Sequence, residues 1–440
     1  MMSFTFAPNP RYRLYTTPHT YYSLLSDIVR GRFEAGDEVA LVETELRNRF
    51  GVRHALCVPQ NRVGVFLTIR CLIEEGRAAG RDEVVLSPYT IADIINMVIC
   101  AGGKPVFADV DRETCNIRAD EVARTIGPKT AAVLVTHLHG LAAPIEEIQH
   151  LCKPHGISVI EDAAQAFGTR LNNEQIGTLG RAGVFSFGMF KNINSWFGGA
   201  VVTNDDALAE RLASELARYE FQSASFVLKK LKKGMFTDVA THPLLFKLLT
   251  FWVFRYGFLN DIEAINKRVR TELDVSPKES IPDEYLRRYT PAQARLLLPQ
   301  FPHIDEHSAV RIRNAKIYHS ALEHVTELVI PPLREDFSHI YTYFPIQYRE
   351  RTELIKYLMR HGRDLAAQHY KNCADLPGFR AFYRDCPNAR KVAEELIFLP
   401  TYPRYGHDET KRTADVLQSF FAARRTEATP TKRYANSSGM

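Results

Sequence analysis

Residues 157–203 read ISVIEDAAQAFGTRLNNEQIGTLGRAGVFSFGMFKNINSWFGGAVVT, and they predict the fold class more clearly than any other segment. The segment opens on an apolar, strand-like run that ends in two carboxylates, Glu161 and Asp162. Lys191 stands 29 residues after Asp162, in a turn between two further strand-like runs at 184–187 and 200–203. The pattern predicts a β-sheet with an acid at one strand end and a lysine on a nearby turn.

The residues before this segment alternate between strand-like and helical patterns. Short runs of strand type lie at 83–86, 105–108, 131–135 and 157–160. Helical periodicity is found at 38–49, 65–74, 91–100 and 145–153. This alternation favours an α/β fold with a mostly parallel sheet covered on both faces. Ligands of such sheets bind beyond the carboxyl ends of the strands, so the residues that follow each strand are candidate site residues.

The chain is predicted to contain two domains and a tail, because 440 residues exceed what one hydrophobic core usually serves. Residues 15–285 are predicted to form a large α/β domain with an insertion at 221–285. Residues 286–423 are predicted to form a smaller C-terminal domain of helices and short strands. Residues 424–440 are polar and lack periodicity, which predicts a disordered tail.

Composition argues against several classes of protein. Fifty-six Lys and Arg against 51 Asp and Glu leave a net charge of +5, which is small for this length and argues against nucleic-acid binding. The seven cysteines form no CxxC pair, so neither a zinc ribbon nor a disulfide scaffold fits. The N-terminus has no basic region followed by an apolar stretch, so we expect a reduced, cytoplasmic protein.

The acid and the lysine suit one kind of cofactor chemistry. A carboxylate at a strand end can keep a pyridinium nitrogen protonated, and a lysine on a nearby turn can form a Schiff base with an aldehyde. Together these groups are the protein's share of pyridoxal 5'-phosphate (PLP) chemistry. Either residue alone has a simpler explanation, as a turn residue or a solvated surface lysine, so the prediction depends on the full string.

Six motifs carry a resemblance to a known family: VIEDAAQAFG (159–168), FSFGMFK (185–191), GGAVVT (198–203), GGKPVFADVDRETCNI (102–117), VTHLHG (135–140) and LPTYP (399–403). The chain resembles the sugar aminotransferases of the DegT/DnrJ/EryC1/StrS family from about residue 36 to residue 421. The resemblance implies a fold-type-I PLP-dependent transferase, with a mostly parallel, seven-stranded sheet and a smaller C-terminal α/β domain.

The resemblance also implies roles for individual residues. Lys191 would be the internal-aldimine lysine and the proton carrier, and Asp162 would pair with the pyridine nitrogen. Gln165 would lie against the ring near its phenolic oxygen, and Ser186 would contact the phosphate. Relatives that dehydrate their substrate carry histidine at the lysine position, so Lys191 implies amino transfer. The implied donor is L-glutamate, and the implied acceptor is a keto or aldehyde sugar, with a nucleotide-linked keto sugar as the default.

The phosphate side departs from the family pattern. Relatives carry a Gly-Thr or Ala-Thr turn at a helix N-terminus, where this chain has Asn61 and Arg62. Relatives also often supply an asparagine from the neighbouring subunit, and Leu286 stands at that position. We interpret Arg62 as a replacement that binds the phosphate through its guanidinium, and we assign Arg62 and Val63 to the cofactor site.

The ring side departs as well. Ile91 occupies the position of the stacking aromatic residue, so the ring is predicted to lie on an aliphatic face unless Tyr89 takes over. Phe197 stands where relatives commonly have a glutamate. These changes predict a divergent branch of the family, whose acceptor need not be the commonest one.

Two histidines, His137 and His139, form an H-x-H after a predicted strand. No spacing pattern supplies a third ligand, so we predict no metal site. The family has this turn at the rim of the active site, and the two histidines are expected to border the substrate.

The insertion is longer than the corresponding segment of most relatives. It holds a basic run, KKLKK (229–233), and an apolar run, PLLFKLLTFWVFRYGFL (243–259), which contains Lys247 and Arg255 and is too short and too charged to span a bilayer. Three interpretations stay open: a helical hairpin packed on the protein's own core, a lid or partner surface over the active site, and a membrane-surface helix. The third would bring residues 229–259 to the inner membrane face and would suit a lipid-linked or long-chain acceptor.

Three functions stay open on the same fold. The first is amino transfer to a sugar, and the second is the same chemistry on a non-nucleotide acceptor such as a free higher sugar, an acyl aldehyde or a carrier-bound carbonyl. The third is a non-catalytic regulator, against which the retained site residues argue. Relatives place the active site between two subunits, so we expect a homodimer in which Arg287 or Arg288 of the second subunit reaches the site.

Overall fold

The computed structural model describes residues 8–14, 16–266, 275–367 and 370–428. Its strands are β1 (His54–Val58), β2 (Glu83–Leu86), β3 (Tyr89–Thr90), β4 (Lys104–Phe107), β5 (Thr130–Thr136), β6 (Ser158–Asp162), β7 (Arg170–Leu171), β8 (Glu174–Gln175), β9 (Ala182–Ser186), β10 (Gly199–Thr203), β11 (Phe344–Gln347), β12 (Ala366–Ala367), β13 (Lys371–Asn372) and β14 (Leu396–Leu399). Its α-helices are α1 (Pro18–Val29), α2 (Glu38–Phe50), α3 (Asn61–Gly76), α4 (Ala92–Cys100), α5 (Ala119–Thr125), α6 (Ile145–Cys152), α7 (Asp206–Ala217), α8 (Ala224–Ala240), α9 (Pro243–Leu245), α10 (Phe251–Leu259), α11 (Glu263–Asn266), α12 (Pro291–Leu297), α13 (Ile304–Leu322), α14 (Arg351–Arg360), α15 (Pro387–Glu395) and α16 (His407–Ala428).

Seven strands form the main sheet, in the order β1-β10-β9-β6-β5-β2-β4. The five strands from β9 to β4 are mutually parallel, and β10 runs antiparallel to both of its neighbours, β9 and β1. The central strands are buried on both faces, as the apolar runs in the sequence predict. The predicted α/β fold with a mostly parallel, seven-stranded sheet is therefore confirmed.

Apolar side chains fill both faces of this sheet. On one face, α3 and α4 contribute fully buried residues such as Ile69 and Ile95. On the other face, α2 and α6 contribute Leu46 and Ile148. These two layers hold the strand ends in a fixed relative position, which is what a site built from several strands requires.

A second, three-stranded antiparallel sheet has the order β11-β14-β12. Helices α13, α14 and α16 cover it around a separate apolar core that includes Leu322, Phe344 and Leu417. The packing changes within α13, because Ile304 belongs to the core of the large sheet and Ile312 to the second core. The sequence places this change earlier, at residues 285–286, because α12 shows no periodicity that separates it from the segment that follows.

The C-terminal end also differs from the sequence prediction. Helix α16 continues to Ala428, so residues 424–428 are helical, where the sequence predicts a disordered tail from 424. Arg424 explains the extension, because its guanidinium pairs with Glu353 and lies 5.1 Å from the centre of the Phe420 ring. The rest of the predicted tail, 429–440, lies outside the described residues.

The insertion is helical over most of its length. Helix α8 is followed by α9, a π-helical turn (Phe246–Thr250), α10 and α11. Phe246 and Phe251 are fully buried and pack in the core of the second sheet. This part of the insertion fits the interpretation of a hairpin packed on the protein's own core; residues 267–274 lie outside the described residues.

Candidate active site

The carboxyl ends of β6 and β9 bring the predicted acid and lysine into one cavity. Asp162 ends β6, Ser186 ends the neighbouring parallel strand β9, and Lys191 lies in the turn that follows β9. All three line a cavity of about 1270 Å³. Gln165, Arg62 and Ile91 line the same cavity.

Asp162 is buried and held by two hydrogen bonds to the same oxygen. Its Oδ1 accepts from Asn61 Nδ2 at 3.1 Å and from the backbone N–H of Ala164 at 3.1 Å. Among the described residues, none donates a hydrogen bond to the other carboxylate oxygen, Oδ2. Burial raises the pKa of Asp162, while the Ala164 N–H, the Asn61 amide and the charge of Lys191 oppose this by lowering it. The carboxylate is therefore positioned by one oxygen and able to receive a cationic N–H with the other.

The side-chain amine of Lys191 is a weaker base than an ordinary lysine amine. Burial lowers its pKa from the usual 10.5 to about 8; the Asp162 carboxylate acts in the opposite direction, and the Arg62 guanidinium adds to the lowering. A lysine with a pKa near 8 has a substantial neutral fraction at neutral pH. It is thus able both to attack a carbonyl carbon and to carry a proton.

Gln165 is fixed at both ends of its amide. Its Oε1 accepts the backbone N–H of His139 at 2.8 Å, and its Nε2 donates to the hydroxyl of Tyr370 at 2.7 Å. The residue is buried, so these bonds hold its side chain in one orientation beside Asp162. Tyr370 also lines the cavity, and no motif in the sequence predicts it.

Arg62 is paired with a carboxylate in this structure. Its guanidinium contacts Asp93 of α4 and lies 5.4 Å from the centre of the Tyr285 ring. Asp93 also pairs with Lys278 and accepts from the Tyr285 hydroxyl at 3.3 Å. The predicted phosphate ligand therefore lies in the cavity within an ionic cluster that the sequence does not reveal, since its members are far apart along the chain.

The assignment of Val63 to the cofactor site is corrected by the structure. Its side chain is fully buried in the core of the large sheet and does not line the cavity. Its N–H donates to the carbonyl of Gln60 at 3.0 Å, so the helical geometry of α3 uses the donor that a phosphate would need. The N–H groups of Asn61 and Arg62 precede the ladder of α3 and are the helix-terminal donors.

Asn61 is the site residue that sequence reasoning missed. It is recognised there only as a substitution for glycine, whereas the structure shows it bound to Asp162 and, at 3.3 Å, to the carbonyl of Val184. The sequence did contain one indication of this role. Asn61 is a polar residue at the first position of a largely apolar helix, where a side chain can reach the neighbouring strand ends.

The other positions that depart from the family pattern differ in whether they line the cavity. Ile91 and Phe197 line the cavity, whereas Tyr89 is fully buried and does not, so the alternative that Tyr89 replaces the stacking residue has no support. Leu286 packs against the core of the large sheet and does not line the cavity.

The two histidines of the H-x-H turn do not border the cavity. The backbone N–H of Ala143 donates to His137 Nδ1 at 3.0 Å, which places the proton of the neutral ring on Nε2. Nε2 in turn donates to Glu161 at 3.0 Å. His139 is buried, and burial lowers its pKa to about 3. Both histidines are therefore core residues, and the expectation that they lie at the substrate rim is wrong. Among the described residues, no group of three His, Cys, Asp or Glu side chains could hold a metal ion.

The donor set fits PLP. It comprises a lysine amine of lowered pKa, a buried carboxylate with one oxygen able to accept, the N-terminus of the 16-residue helix α3, and the Ser186 hydroxyl. The lysine amine matches the aldehyde of the cofactor, and the carboxylate matches the pyridine nitrogen. The helix N-terminus and the Ser186 hydroxyl both match the phosphate. The fold and the donor set define a PLP-dependent enzyme of fold type I.

The chain belongs to the DegT/DnrJ/EryC1/StrS aminotransferase family, whose sequence model matches residues 23–232 and 285–418. The predicted family, the PLP cofactor and the aminotransferase class are thereby confirmed. The match omits residues 233–284, which cover most of the predicted insertion.

Individual relatives cover nearly the whole chain. The pleiotropic regulatory protein of Geobacillus stearothermophilus is 26% identical over 405 residues, which are 90% of this chain and 93% of the relative. The GDP-perosamine synthase of Vibrio cholerae is 35% identical over 177 residues, 40% of this chain and 47% of the relative. The structure is similar to that of PseC from Helicobacter pylori, an aminotransferase of pseudoaminic acid biosynthesis. The TM-score is 0.71 at 20% identity, covering 96% of this chain and 100% of that chain.

Proposed function

We propose that the protein transfers an amino group from L-glutamate to the carbonyl of a keto or aldehyde sugar. The observation that carries this proposal is the placement of Lys191 and Asp162 at adjacent strand ends in one cavity, with the pKa of Lys191 lowered to about 8. Retention of the lysine favours amino transfer over dehydration.

Each residue contributes a distinct part of the chemistry. When bound, PLP supplies the electron sink that makes an α-proton of the amino donor removable. Lys191 Nζ takes and returns that proton, since a pKa near 8 lets it act as base and as acid near neutral pH. Asp162 stabilises a protonated ring nitrogen, and Asn61 and Ala164 keep its carboxylate oriented. Gln165, fixed at both ends, limits the orientation of the ring.

For the phosphate, we propose that Arg62 is a ligand together with Ser186 and the N-terminus of α3. Arg62 lines the cavity, and its pairing with Asp93 holds the guanidinium at the helix end that an anion would approach. The substitution Arg62→Ala should weaken PLP affinity by about tenfold, the usual value of a charge-assisted hydrogen bond. Wild-type affinity in this variant, measured by equilibrium dialysis, would contradict the assignment.

The default acceptor is a nucleotide-linked keto sugar. The names of the Vibrio cholerae and Helicobacter pylori relatives point to sugar amination. A non-nucleotide acceptor stays as the second candidate, because the insertion adds a wall to the cavity that the family model lacks. A regulator without catalysis is the third, and the intact set of Lys191, Asp162 and Gln165 argues against it.

We also propose a cytoplasmic homodimer with shared active sites, on the strength of the family resemblance. Arg287 or Arg288 is the residue expected to reach the second subunit's site. Sedimentation equilibrium tests the dimer, and a monomer at micromolar concentration would contradict it. Among the described residues, no helix is both long enough and apolar enough to cross a bilayer.

The first half of the reaction can be tested without knowing the acceptor. Protein loaded with PLP and mixed with excess L-glutamate should release about one equivalent of 2-oxoglutarate per site and then stop. Lys191→Ala should release none over the same period, and Lys232→Ala, which changes an exposed lysine of the insertion that does not line the cavity, should behave as the wild type does. Absence of 2-oxoglutarate from the loaded wild-type protein would rule out glutamate as the donor.

A further inference from the structure

The insertion forms one wall of the catalytic cavity. Phe236 and Val239 of α8, Leu249 of the π-helical turn and Val253 of α10 all line the same cavity as Lys191. This is the part of the chain that the family model does not match. The wall therefore lies outside the residues that the family model matches, and it is apolar.

The same four residues are also exposed to solvent. Their exposed fractions are 73% for Phe236, 58% for Val239, 57% for Leu249 and 45% for Val253. An apolar side chain that both lines a cavity and reaches solvent stands at an opening, so the apolar wall runs from the cavity to the outside. Continuous exposed apolar surface of this kind marks a binding site.

Basic groups precede the apolar residues along α8. Lys230, Lys233, Phe236 and Val239 follow one another at intervals of three residues, and all four line the cavity. Each step turns by about 60° around the helix, so neighbouring members of this row adjoin, and the lining changes from cationic to apolar over about 14 Å along α8. The first turns of α8 pack against the segment that carries Lys191, since Val227 and Leu231 share one apolar core with Met189 and Trp196. The cationic end of this row is therefore the end nearer the chemistry.

We propose that the acceptor is an amphiphile, in which a carbonyl sugar is joined through phosphate to a long hydrocarbon chain. The sugar carbonyl would reach Lys191, the phosphate would lie against Lys230 and Lys233, and the hydrocarbon chain would follow the wall formed by Phe236, Val239, Leu249 and Val253. The inference rests on the proposed amino transfer, and it replaces the nucleotide-linked default with an acceptor of the second, non-nucleotide class.

A hydrocarbon chain fits this wall better than the two other occupants. A bilayer surface would contact the outward residues of the insertion, such as Leu248 and Trp252, and would not require side chains that line the catalytic cavity. The second subunit is proposed to bring arginine side chains to the site, and these would not complement the charge of Lys230 and Lys233. A ligand whose sugar lies at Lys191 would place its phosphate beside the lysines and its hydrocarbon chain beside the apolar residues, which is the order in which the cavity presents them.

Binding of a simple amphiphile tests the proposal. Dodecyl phosphate, kept below its critical micelle concentration, is titrated into the PLP-loaded protein and followed by tryptophan fluorescence, since Trp196 lines the cavity. We expect saturable binding at least about tenfold tighter than that of ethyl phosphate, because the chain leaves water on binding. Equal affinities for the two phosphates would overturn the proposal.

Adjacent residues provide matched variants. Leu249→Asp changes a lining residue, and Leu248→Asp changes a neighbour that is 70% exposed and does not line the cavity. We expect Leu249→Asp to weaken dodecyl phosphate by about tenfold and Leu248→Asp to change it by less than about twofold. In the same way, Lys233→Glu should weaken binding while Lys232→Glu, on a residue that does not line the cavity, should not.

Two controls keep the outcomes distinct. Release of 2-oxoglutarate from L-glutamate should be unchanged in Leu248→Asp, whose side chain does not line the cavity. Absence of this release from the wild-type protein would refute the proposed function and not this inference. Equal loss of binding in Leu248→Asp and Leu249→Asp would assign the surface to a bilayer. Dissociation of a dimer in Leu249→Asp alone would assign it to a second copy, and either result would overturn the proposal.

Discussion

Asn61 Nδ2 donates a hydrogen bond of 3.1 Å to Asp162 Oδ1, and so joins the first residue of α3 to the last residue of β6. The contact links the helix end proposed to hold the phosphate to the carboxylate proposed to hold the ring nitrogen. One amide therefore fixes the distance between the two ends of the cofactor site.

Removal of this amide should weaken the cofactor site without unfolding the protein. Burial raises the pKa of Asp162 and the Asn61 bond opposes that rise, so Asn61→Ala should leave the carboxyl less readily ionised. We expect PLP affinity to fall by about fivefold to tenfold, the value of one buried hydrogen bond to a charged group. Asn61→Asp should be worse, because it places a second carboxylate beside Asp162. Wild-type affinity of Asn61→Ala in a fluorescence titration would contradict this role.

The pH dependence of cofactor capture follows from Lys191. Only the neutral amine attacks an aldehyde, and its pKa is lowered to about 8, first by burial and then by Arg62. The rate at which the apoprotein captures PLP should therefore rise by about tenfold per pH unit below 8 and level off above it. Stopped-flow absorbance between pH 6 and 10 measures this profile, and a rise that continues to pH 10 would show an unperturbed lysine.

The same profile tests the influence of Arg62 on the lysine. Because the guanidinium lowers the pKa of Lys191, Arg62→Gln should move the midpoint to higher pH. A midpoint that stays at the wild-type value would mean that burial alone accounts for the shift. This measurement is independent of whether Arg62 contacts the phosphate, since it follows the titration and not the affinity.

The two adjacent carboxylates should give opposite results. Glu161 is fully buried and accepts from His137 at 3.0 Å, from the N–H of Gly177 at 2.7 Å and from the N–H of Gly180 at 2.5 Å. Glu161→Gln should therefore lower the free energy of unfolding by about 2–4 kcal/mol, because its amide group repels at least one of these donors. Its PLP affinity, measured below the unfolding transition, should be unchanged.

For the other carboxylate, Asp162→Asn should preserve stability to within about 1 kcal/mol, since the amide oxygen can still accept from Asn61 and Ala164. Release of 2-oxoglutarate should fall by at least about a hundredfold, because a neutral amide does not stabilise a protonated ring nitrogen. Loss of stability in Asp162→Asn, or loss of activity without loss of stability in Glu161→Gln, would reverse the two roles.

The central sheet was predictable from the sequence because its signal is local. Apolar runs followed by small or polar residues fall within one or two positions of β2, β4, β5 and β6. The placement of Asp162 and Lys191 at the ends of β6 and β9 was predictable because both belong to one continuous string; either residue alone has a simpler explanation.

The contacts between distant segments were not predictable. Arg62, Asp93 and Lys278 form one ionic cluster although 216 residues separate the first from the last. Periodicity carries no information about such pairing, and for this reason the sequence leaves Arg62 free to bind phosphate. The prediction for the histidines of the H-x-H turn was wrong for the same reason. No local pattern shows that both ring nitrogens of His137 form hydrogen bonds, one with Glu161 and one with the N–H of Ala143.

The visible absorption spectrum of the PLP-loaded protein, recorded before and after addition of L-glutamate, tests whether Lys191 and Asp162 support amino transfer. We expect a band of the cofactor bound to Lys191 that disappears with glutamate and is replaced by the near-ultraviolet band of the aminated cofactor. The Lys191→Ala protein should show no such conversion. A wild-type protein that binds no cofactor, or a band that glutamate leaves unchanged, would contradict this role.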